Sequence, residues 1–190
     1  FSHKALERFV KLHMTELPAE PEQGLLDIGK VVFREEISSP GVRAFWWPRF
    51  VRIVHWFVAF EQKRRNAGII PALIEGRGQL EIDGFTLTAK ADRMDRSATG
   101  LTIIDYKTGQ TPTAKQVESG LTPQLPLEGA IVKGGGFKDL PKELPIEGLL
   151  YVRLSGGREA GEEKPIKLDA EQAVQDAYEG LSQLIVQYED

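Results

Sequence analysis

Residues 73–109, which read LIEGRGQLEIDGFTLTAKADRMDRSATGLTIIDYKTG, decide the fold of this chain. Hydrophobic and polar residues alternate along 73–82 and again along 85–94, and the dipeptide Asp83-Gly84 between them favours a two-residue hairpin turn. A second turn at 97–100 precedes a third segment of this kind, 101–106. We therefore expect three consecutive antiparallel strands.

Helical periodicity dominates on both sides of this stretch. Upstream, the spacing of apolar residues predicts helices over 1–17, 24–37 and 46–66, the last with Pro48 in its first turn. Downstream we predict a helix over 122–132 capped by Thr122, a strand over 149–154, and a helix over 169–188 in which Asp169 and Gln172 form a capping box. The polar segment 111–120 is expected to be an excursion. Such a mixture of elements is typical of an α/β domain.

Length and composition exclude several classes of protein. A chain of 190 residues with 41% hydrophobic and 27% charged residues is expected to form one soluble globular domain. The longest apolar run, at residues 57–60, is too short to cross a bilayer, so we expect no membrane association. With no cysteine, the chain has neither a disulfide framework nor a cysteine-ligated zinc or iron-sulfur site. Because it starts at Phe1 rather than Met, we expect a fragment of a longer protein.

The charges are unevenly distributed around a net charge of -4. Segment 43–65 holds six basic residues and one acidic residue, whereas segment 139–190 holds five basic and twelve acidic ones. The basic segment also carries three tryptophans. It could be an amphipathic helix with a solvated basic face and a buried aromatic face. Alternatively, Trp47, Arg49 and Arg52 could hold single-stranded DNA by stacking and phosphate pairing.

A cluster of charged residues lies on neighbouring predicted strands. Residues two apart on a strand share a face, so Asp105 and Lys107 project to the same side, and Asp92 lies on the adjacent strand. Two carboxylates so close repel each other unless a cation lies between them, and carboxylate oxygens with water suit Mg²⁺. The helical periodicity also turns His3 inward, with the apolar stripe of the first helix. A simple solvated sheet face remains the alternative.

These residues resemble the motif of a known enzyme superfamily. Asp92 followed by Asp105-Tyr106-Lys107-Thr108-Gly109 resembles the PD-(D/E)XK nucleases, in particular their RecB-like branch, and residues 124–127 resemble that branch's glutamine motif. The segments 46–50 and 123–128 are most similar to the C-terminal nuclease domain of AddB-type subunits of AddAB helicase-nucleases, in its alphaproteobacterial form. The resemblance covers about residues 1–137.

The resemblance implies a restriction-endonuclease-like mixed β-sheet flanked by helices, and a single nuclease domain over 1–190. Its parts would be a helical segment (1–70), the catalytic sheet with the glutamine-motif helix (71–155) and a C-terminal helix (156–190). The implied activity is Mg²⁺- or Mn²⁺-dependent exonucleolytic hydrolysis of single-stranded DNA. It would serve recombinational double-strand break repair in the bacterial cytoplasm, with an AddA-type helicase-nuclease partner. The alternatives are a catalytically silent DNA-binding or assembly module and, less favoured without cysteines, a Cas4-like exonuclease.

The resemblance also implies roles for single residues. His3, Asp92, Asp105 and the backbone carbonyl of Tyr106 would bind the metal. Asp92, Asp105, Lys107 and Gln124 would be catalytic, and Glu75 is a candidate for an additional upstream acid. The chain departs from the branch's pattern at Glu128, where a tyrosine is common, and in lacking the cysteines of iron-sulfur relatives.

Other charged residues are expected to be structural. Arg93 and Asp95 are predicted to form an ion pair on their strand, and His13 and His55 are expected to have no functional role. Glu81 and Asp83 are predicted to lie at the surface of the hairpin.

Overall fold

The computed structural model describes residues 1–189, and its elements are given for that range. The helices are α1 (Ser2–Leu12), α2 (Pro21–Glu36), α3 (Pro40–Asn66), α4 (Ala114–Glu118), α5 (Gln124–Lys133) and α6 (Ala170–Glu189). The strands are β1 (Ile70–Ile82), β2 (Phe85–Arg96), β3 (Leu101–Lys107), β4 (Ile146–Leu154) and β5 (Gly161–Pro165). They form one sheet in the order β1-β2-β3-β4-β5, in which β3 and β4 pair in parallel and the other neighbours are antiparallel. The predicted mixed-sheet α/β class is confirmed.

The predicted three-stranded meander is also confirmed. β1 and β2 meet at a two-residue turn in which Asp83 has φ 49° and Gly84 has φ 80°. Positive φ at both central residues is the type I′ turn that matches the twist of a hairpin. Glu81 and Asp83 are exposed there, as predicted.

Two hydrophobic cores cover the two faces of the sheet. One core lies between the sheet and helices α1 to α3 and includes Phe9, Phe57 and Ile104. The other lies under α5 and α6 and includes Ile103 and Val174. Since Ile103 and Ile104 are neighbours on β3, the sheet is apolar on both faces in its central strands, as expected where helices cover both sides.

Helix α3 is longer than predicted. It begins at Pro40 rather than near Trp46, so Pro48 lies inside the helix instead of in its first turn. A proline has no N–H, which leaves the carbonyl of Ala44 without its helical partner. Both residues are exposed, so water can satisfy that carbonyl. The three tryptophans of this helix are half-buried and pack against the first core, as the amphipathic interpretation predicts.

Downstream elements differ from the prediction in detail. Pro123, not Thr122, occupies the N-cap position of α5. The segment predicted as an excursion contains α4, which Thr113 and Gln116 close with a capping box. The backbone N–H of Gln172 donates to Asp169 at 2.9 Å, which confirms Asp169 as the cap of α6, but the Gln172 side chain donates to Asp176 and does not complete a capping box. Strand β5 has no counterpart in the prediction, because it is short and polar. Among the residues described, no helix is both long and apolar enough to span a membrane.

A buried network of ion pairs joins α3 to the sheet. The Arg93 side chain is 0% exposed and donates to both oxygens of Asp95, at 2.6 and 3.0 Å, and also to Glu61. Arg64 donates to Asp95 at 2.6 Å, and Arg65 lies 3.2 Å from Glu61. Burial alone would raise the pKa of Asp95, but the charges of Arg93 and Arg64 hold it below its ordinary value. The predicted pairing of Arg93 with Asp95 is confirmed, as the centre of a larger network.

Removing one partner of this network should destabilise the fold strongly. Glu61→Gln leaves Arg93 buried with one carboxylate fewer, so we expect the free energy of unfolding to fall by about 3–5 kcal/mol in urea titrations. Lys63→Ala is the control from the same helix, because it breaks only the exposed pair with Glu163 and should cost less than about 1 kcal/mol. Equal losses in the two variants would contradict this account.

Candidate active site

The site is centred on the C-terminal end of β3, where Asp105 and Lys107 share a face. The Asp105 side chain is 5% exposed and that of Lys107 is 33% exposed. The Lys107 ammonium lies 2.8 Å from Asp105 Oδ2, off the direction of a hydrogen bond. It also lies 5.9 Å from the ring of Tyr151, which pairs with Asp105 from β4. Tyr106 turns to the opposite face and packs against the core under α3, as the alternation predicts.

Asp92 stands where β2 and β3 separate. Their ladder ends at the pair Arg93–Ile104, and one residue further Asp92 Oδ2 accepts the backbone N–H of Tyr106 at 3.0 Å. The Asp92 carboxylate therefore accepts the hydrogen bond that a backbone carbonyl of β2 would accept in a regular ladder, and this bond holds it next to the backbone beside Asp105. Burial raises the pKa of Asp92 to about 6, and the nearby charge of Asp105 acts in the same direction.

Glu75 lies at the same level on β1, at an irregular point of the sheet. Its neighbours Ile74 and Gly76 pair with Arg93 and Ala91, which puts Glu75 opposite Asp92. Glu75 has φ 53°, the left-handed region that residues other than glycine rarely adopt. Its carboxylate forms an ion pair with Lys90. The strand register thus brings Glu75, the candidate upstream acid, next to Asp92. Its unusual backbone conformation is of the kind that is concentrated at functional sites.

His3 approaches the same region from α1. The imidazole is half-buried, and its ring centre lies 5.8 Å from that of Tyr106. Its Nε2 is buried and has no hydrogen-bond partner. Burial lowers the pKa of His3 below its ordinary value. At neutral pH the ring is therefore uncharged, which is the form that binds metals.

Gln124 and Glu128 form the side of the site contributed by α5. The Gln124 side-chain amide donates to Asp105 Oδ1 at 2.9 Å and to Glu128 Oε1 at 3.2 Å. Glu128 is 1% exposed, and its Oε2 has no hydrogen-bond partner. Burial raises the pKa of Glu128 to about 8, and the charges of Asp105 and Asp92 add to this effect. In the sequence, Glu128 stands out only as a departure from the glutamine motif of the RecB-like branch. Its position four residues after Gln124, one helical turn away, is the signal that would have placed it in the site.

The side chains of His3, Asp92 and Asp105 are suited to a divalent cation that takes its remaining ligands from water. Within residues 1–189, no three His, Asp, Glu or Cys side chains are arranged as a ready-made metal cluster. Three buried atoms of the site nevertheless lack hydrogen bonds, namely His3 Nε2, Glu128 Oε2 and Asp105 Oδ2, of which the last has only the ion pair with Lys107. Buried polar atoms are nearly always satisfied, so such atoms indicate an ion or water bound there. Carboxylate oxygens and water are the ligands that Mg²⁺ prefers, and imidazole suits Mn²⁺ as well.

The residues predicted to bind DNA lie outside this cluster, on α3. The Arg49 guanidinium stacks 4.7 Å from the Phe45 ring and 5.0 Å from that of Trp46. Arg52 donates to the carbonyl of Gly156 at 2.9 Å and so ties α3 to the turn between β4 and β5. Trp47 packs edge-on against Phe33, with ring centres 5.3 Å apart. Arg49 and Arg52 thus make contacts within the protein, and Trp47 keeps an exposed part.

Comparisons with known proteins point to a family. A family model described as the PD-(D/E)XK nuclease superfamily matches residues 1–189. An uncharacterized protein of Rickettsia bellii is 33% identical over 141 residues, 72% of this chain and 17% of that protein. The uncharacterized protein RT0391 of Rickettsia typhi is 30% identical over 145 residues, again 72% of this chain and 17% of the relative. The chain thus spans about a sixth of these relatives.

A solved structure is also similar, but only distantly. The crystal structure of SSO0001 aligns with 97% of this chain and 74% of its own, with a TM-score of 0.32 and 14% sequence identity. A similarity this weak supports no conclusion about activity.

Glu128 should make the stability of the metal-free protein depend on pH. Below about pH 4.5 the carboxyl is protonated in both the folded and the unfolded state. Between pH 4.5 and 8 only the unfolded chain ionises, so the fold loses stability as pH rises, by about 1.4 kcal/mol for each pKa unit between the two states. Glu128→Gln cannot ionise and should escape this loss. Urea titrations in EDTA at pH 5, 6.5 and 8 should therefore show the variant gaining several kcal/mol on the wild type. A difference that does not change with pH would contradict the burial of this carboxyl.

The backbone conformation of Glu75 should lower the stability of the fold. Glycine adopts φ 53° without strain, so Glu75→Gly should raise the free energy of unfolding by about 1 kcal/mol relative to Glu75→Gln. The glutamine variant is the matched control because it removes the charge and the contact with Lys90 but keeps the strained backbone. Equal stability of the two variants in thermal unfolding would show that this backbone conformation carries no strain.

Proposed function

Because the chain belongs to the PD-(D/E)XK nuclease superfamily, we propose that it hydrolyses phosphodiester bonds of DNA at the site formed by Asp92, Asp105 and Lys107. The observation that supports this most is the buried Asp105 carboxylate, which has the Lys107 ammonium at 2.8 Å and the Gln124 amide at 2.9 Å. A buried carboxylate beside a partly exposed ammonium is suited to hold a cation and to face a phosphate at the same time.

A bound Mg²⁺ or Mn²⁺ would polarise the phosphate and lower the pKa of an attacking water. Asp92, Asp105, His3 and the carbonyl of Tyr106 would hold this ion. Lys107 reaches toward solvent, so its ammonium can bind the water or a phosphate oxygen and stabilise the charge that develops there. Gln124 fixes Asp105 through its hydrogen bond and so keeps the carboxylate in place while substrate binds. Glu75 is proposed as the additional acid of this centre.

The finer assignment follows from the motifs rather than from the relatives, which are uncharacterized. The Asp-Tyr-Lys-Thr-Gly sequence and the Gln124 helix favour the RecB-like branch, with exonucleolytic attack on single-stranded DNA. The similarity to AddB-type nuclease domains favours a role in recombinational double-strand break repair with an AddA-type helicase-nuclease partner in the bacterial cytoplasm. The proposed cofactor is Mg²⁺ or Mn²⁺, and without cysteine no iron-sulfur cluster can be held by thiolates. DNA contacts by Trp47, Arg49 and Arg52 belong to the same proposal.

A second candidate is a catalytically silent nuclease-fold module for DNA binding or assembly. The observation that favours it is the ion pairing in the site, where Lys107 contacts Asp105 and Lys90 contacts Glu75. A silent module with no metal role would show no rise in its thermal unfolding temperature with Mg²⁺ or Mn²⁺, whereas a metal-binding nuclease is stabilised by mass action.

Loss of the Lys107 ammonium should abolish cleavage without unfolding the domain. Lys107→Ala removes the group proposed to stabilise charge at the phosphate, and we expect at least a hundredfold loss of nuclease activity on single-stranded DNA with Mn²⁺. Lys164→Ala is the control, because that lysine pairs with Glu162 on the outer strand and should cleave like the wild type. Circular dichroism should show both variants folded. Cleavage by Lys107→Ala at the wild-type rate, or no cleavage by the wild type with either metal, would contradict the proposal.

A further inference from the structure

A groove of about 650 Å³ lies between α2 and α3, on the helical side of the sheet. Its lining combines the aromatic side chains of Phe33 and Trp47 with the basic side chains of Lys30, Arg34 and Arg43. None of the described residues that line it is acidic. In a chain with a net charge of -4, a groove with three cations and no anion is a concentrated positive site.

The basic side chains are free to meet a ligand. Lys30 and Arg34 are exposed and lie one helical turn apart on α2, facing Arg43 across the groove. Arg43 donates to the carbonyl of Ile37 at 3.2 Å. Lys30 pairs with Asp27 at 2.9 Å, an exposed contact that contributes little and exchanges readily. The Arg34 side chain, which belongs to the last turn of α2, makes no hydrogen bond or ion pair with any residue of the described range.

The aromatic wall offers a stacking surface. Phe33 is 2% exposed and packs edge-on against Trp47, so the indole is held in place but keeps an exposed part. Pro48 and Ala44 lie beside it in the lining. Cations along a groove with an aromatic ring on its wall are the combination that binds single-stranded nucleic acid without sequence preference.

A ring contact joins the groove to the start of α1, the helix that carries His3. Phe33 contacts Phe1, with ring centres 4.4 Å apart, and Phe1 precedes His3 by two residues on the chain. The ring centre of His3 in turn lies 5.8 Å from that of Tyr106, the residue between Asp105 and Lys107 in the sequence. The groove therefore lies on the α3 side of the sheet, from which His3 approaches the site, whereas Asp105 and Lys107 project to the other face.

We propose that the α2–α3 groove is an auxiliary binding site for single-stranded DNA, with phosphates against Lys30, Arg34 and Arg43 and a base stacked on Trp47. This inference rests on the proposed function, because it assigns the groove to the strand that the site would cleave. It adds the basic residues of the groove to the DNA contacts proposed for Arg49 and Arg52.

The first test measures how binding of oligo(dT) depends on salt, in EDTA so that the strand stays intact. Each phosphate contact on a single strand contributes about 0.7 to the slope of log affinity against log salt concentration. Affinity falls as salt rises, so the slope is negative, and Lys30→Gln and Arg34→Gln should each make it less negative by about 0.7 and weaken binding. Lys63→Gln is the matched control, since that exposed lysine lies at the far end of α3 and should keep the wild-type slope. Wild-type slopes in both groove variants would overturn the proposal.

The second test uses the fluorescence of the tryptophans, which stacking on a base quenches. Oligo(dT) should quench the wild type and Trp56→Phe, whereas Trp47→Phe should lose most of the quenching. Unchanged quenching in Trp47→Phe would overturn the proposal. Failure of the groove and failure of the nuclease assignment are distinguishable, because cleavage that depends on Lys107 would persist if only the groove were wrong.

Discussion

The structure depends on one buried charge, the guanidinium of Arg93. This side chain is 0% exposed, between β2 and α3, and a buried cation is tolerated only where anions and hydrogen-bond acceptors surround it. Asp95 supplies two of these contacts and Glu61 another, while the Tyr106 hydroxyl lies 3.1 Å from the same group. Meeting this requirement fixes α3 against the sheet, because Glu61 can reach Arg93 only in one position of the helix. Helix α3 is therefore not free to shift along the sheet.

The same constraint extends to the candidate site through Tyr106. Its ring and hydroxyl are held on the α3 face, and burial raises the pKa of that hydroxyl to about 12, so it stays protonated beside Arg93. Its backbone N–H is held by Asp92. With Tyr106 fixed at both ends, alternation along β3 leaves Asp105 and Lys107 on the opposite face. The buried network thus orients, through one residue, the groups proposed to bind metal and phosphate.

The sequence was sufficient for the features that depend on local periodicity. Alternation and the Asp83-Gly84 turn predicted the meander, and the spacing of Asp92, Asp105 and Lys107 predicted that they would meet. What it could not predict depends on tertiary contacts. The Glu61–Arg93 pair joins residues 32 positions apart, and a glutamate gives no sequence signal for the positive φ that Glu75 adopts. Strand β5 exists only because β4 offers it an edge, and Pro48 is tolerated inside α3 because its face is exposed.

If His3, Asp92 and Asp105 form a cation site, the protein binds Mn²⁺. Measuring this binding tests the site without any assumption about substrate. Electron paramagnetic resonance of free Mn²⁺ gives the amount bound to the purified protein. The account predicts that the wild type binds Mn²⁺, that Asp105→Asn loses this binding, and that His3→Ala weakens it. Glu163→Gln replaces a half-buried acidic residue on β5 that pairs with Lys63, and it should bind like the wild type. Absence of binding by the wild type at millimolar Mn²⁺, or equal binding by Asp105→Asn, would contradict the account.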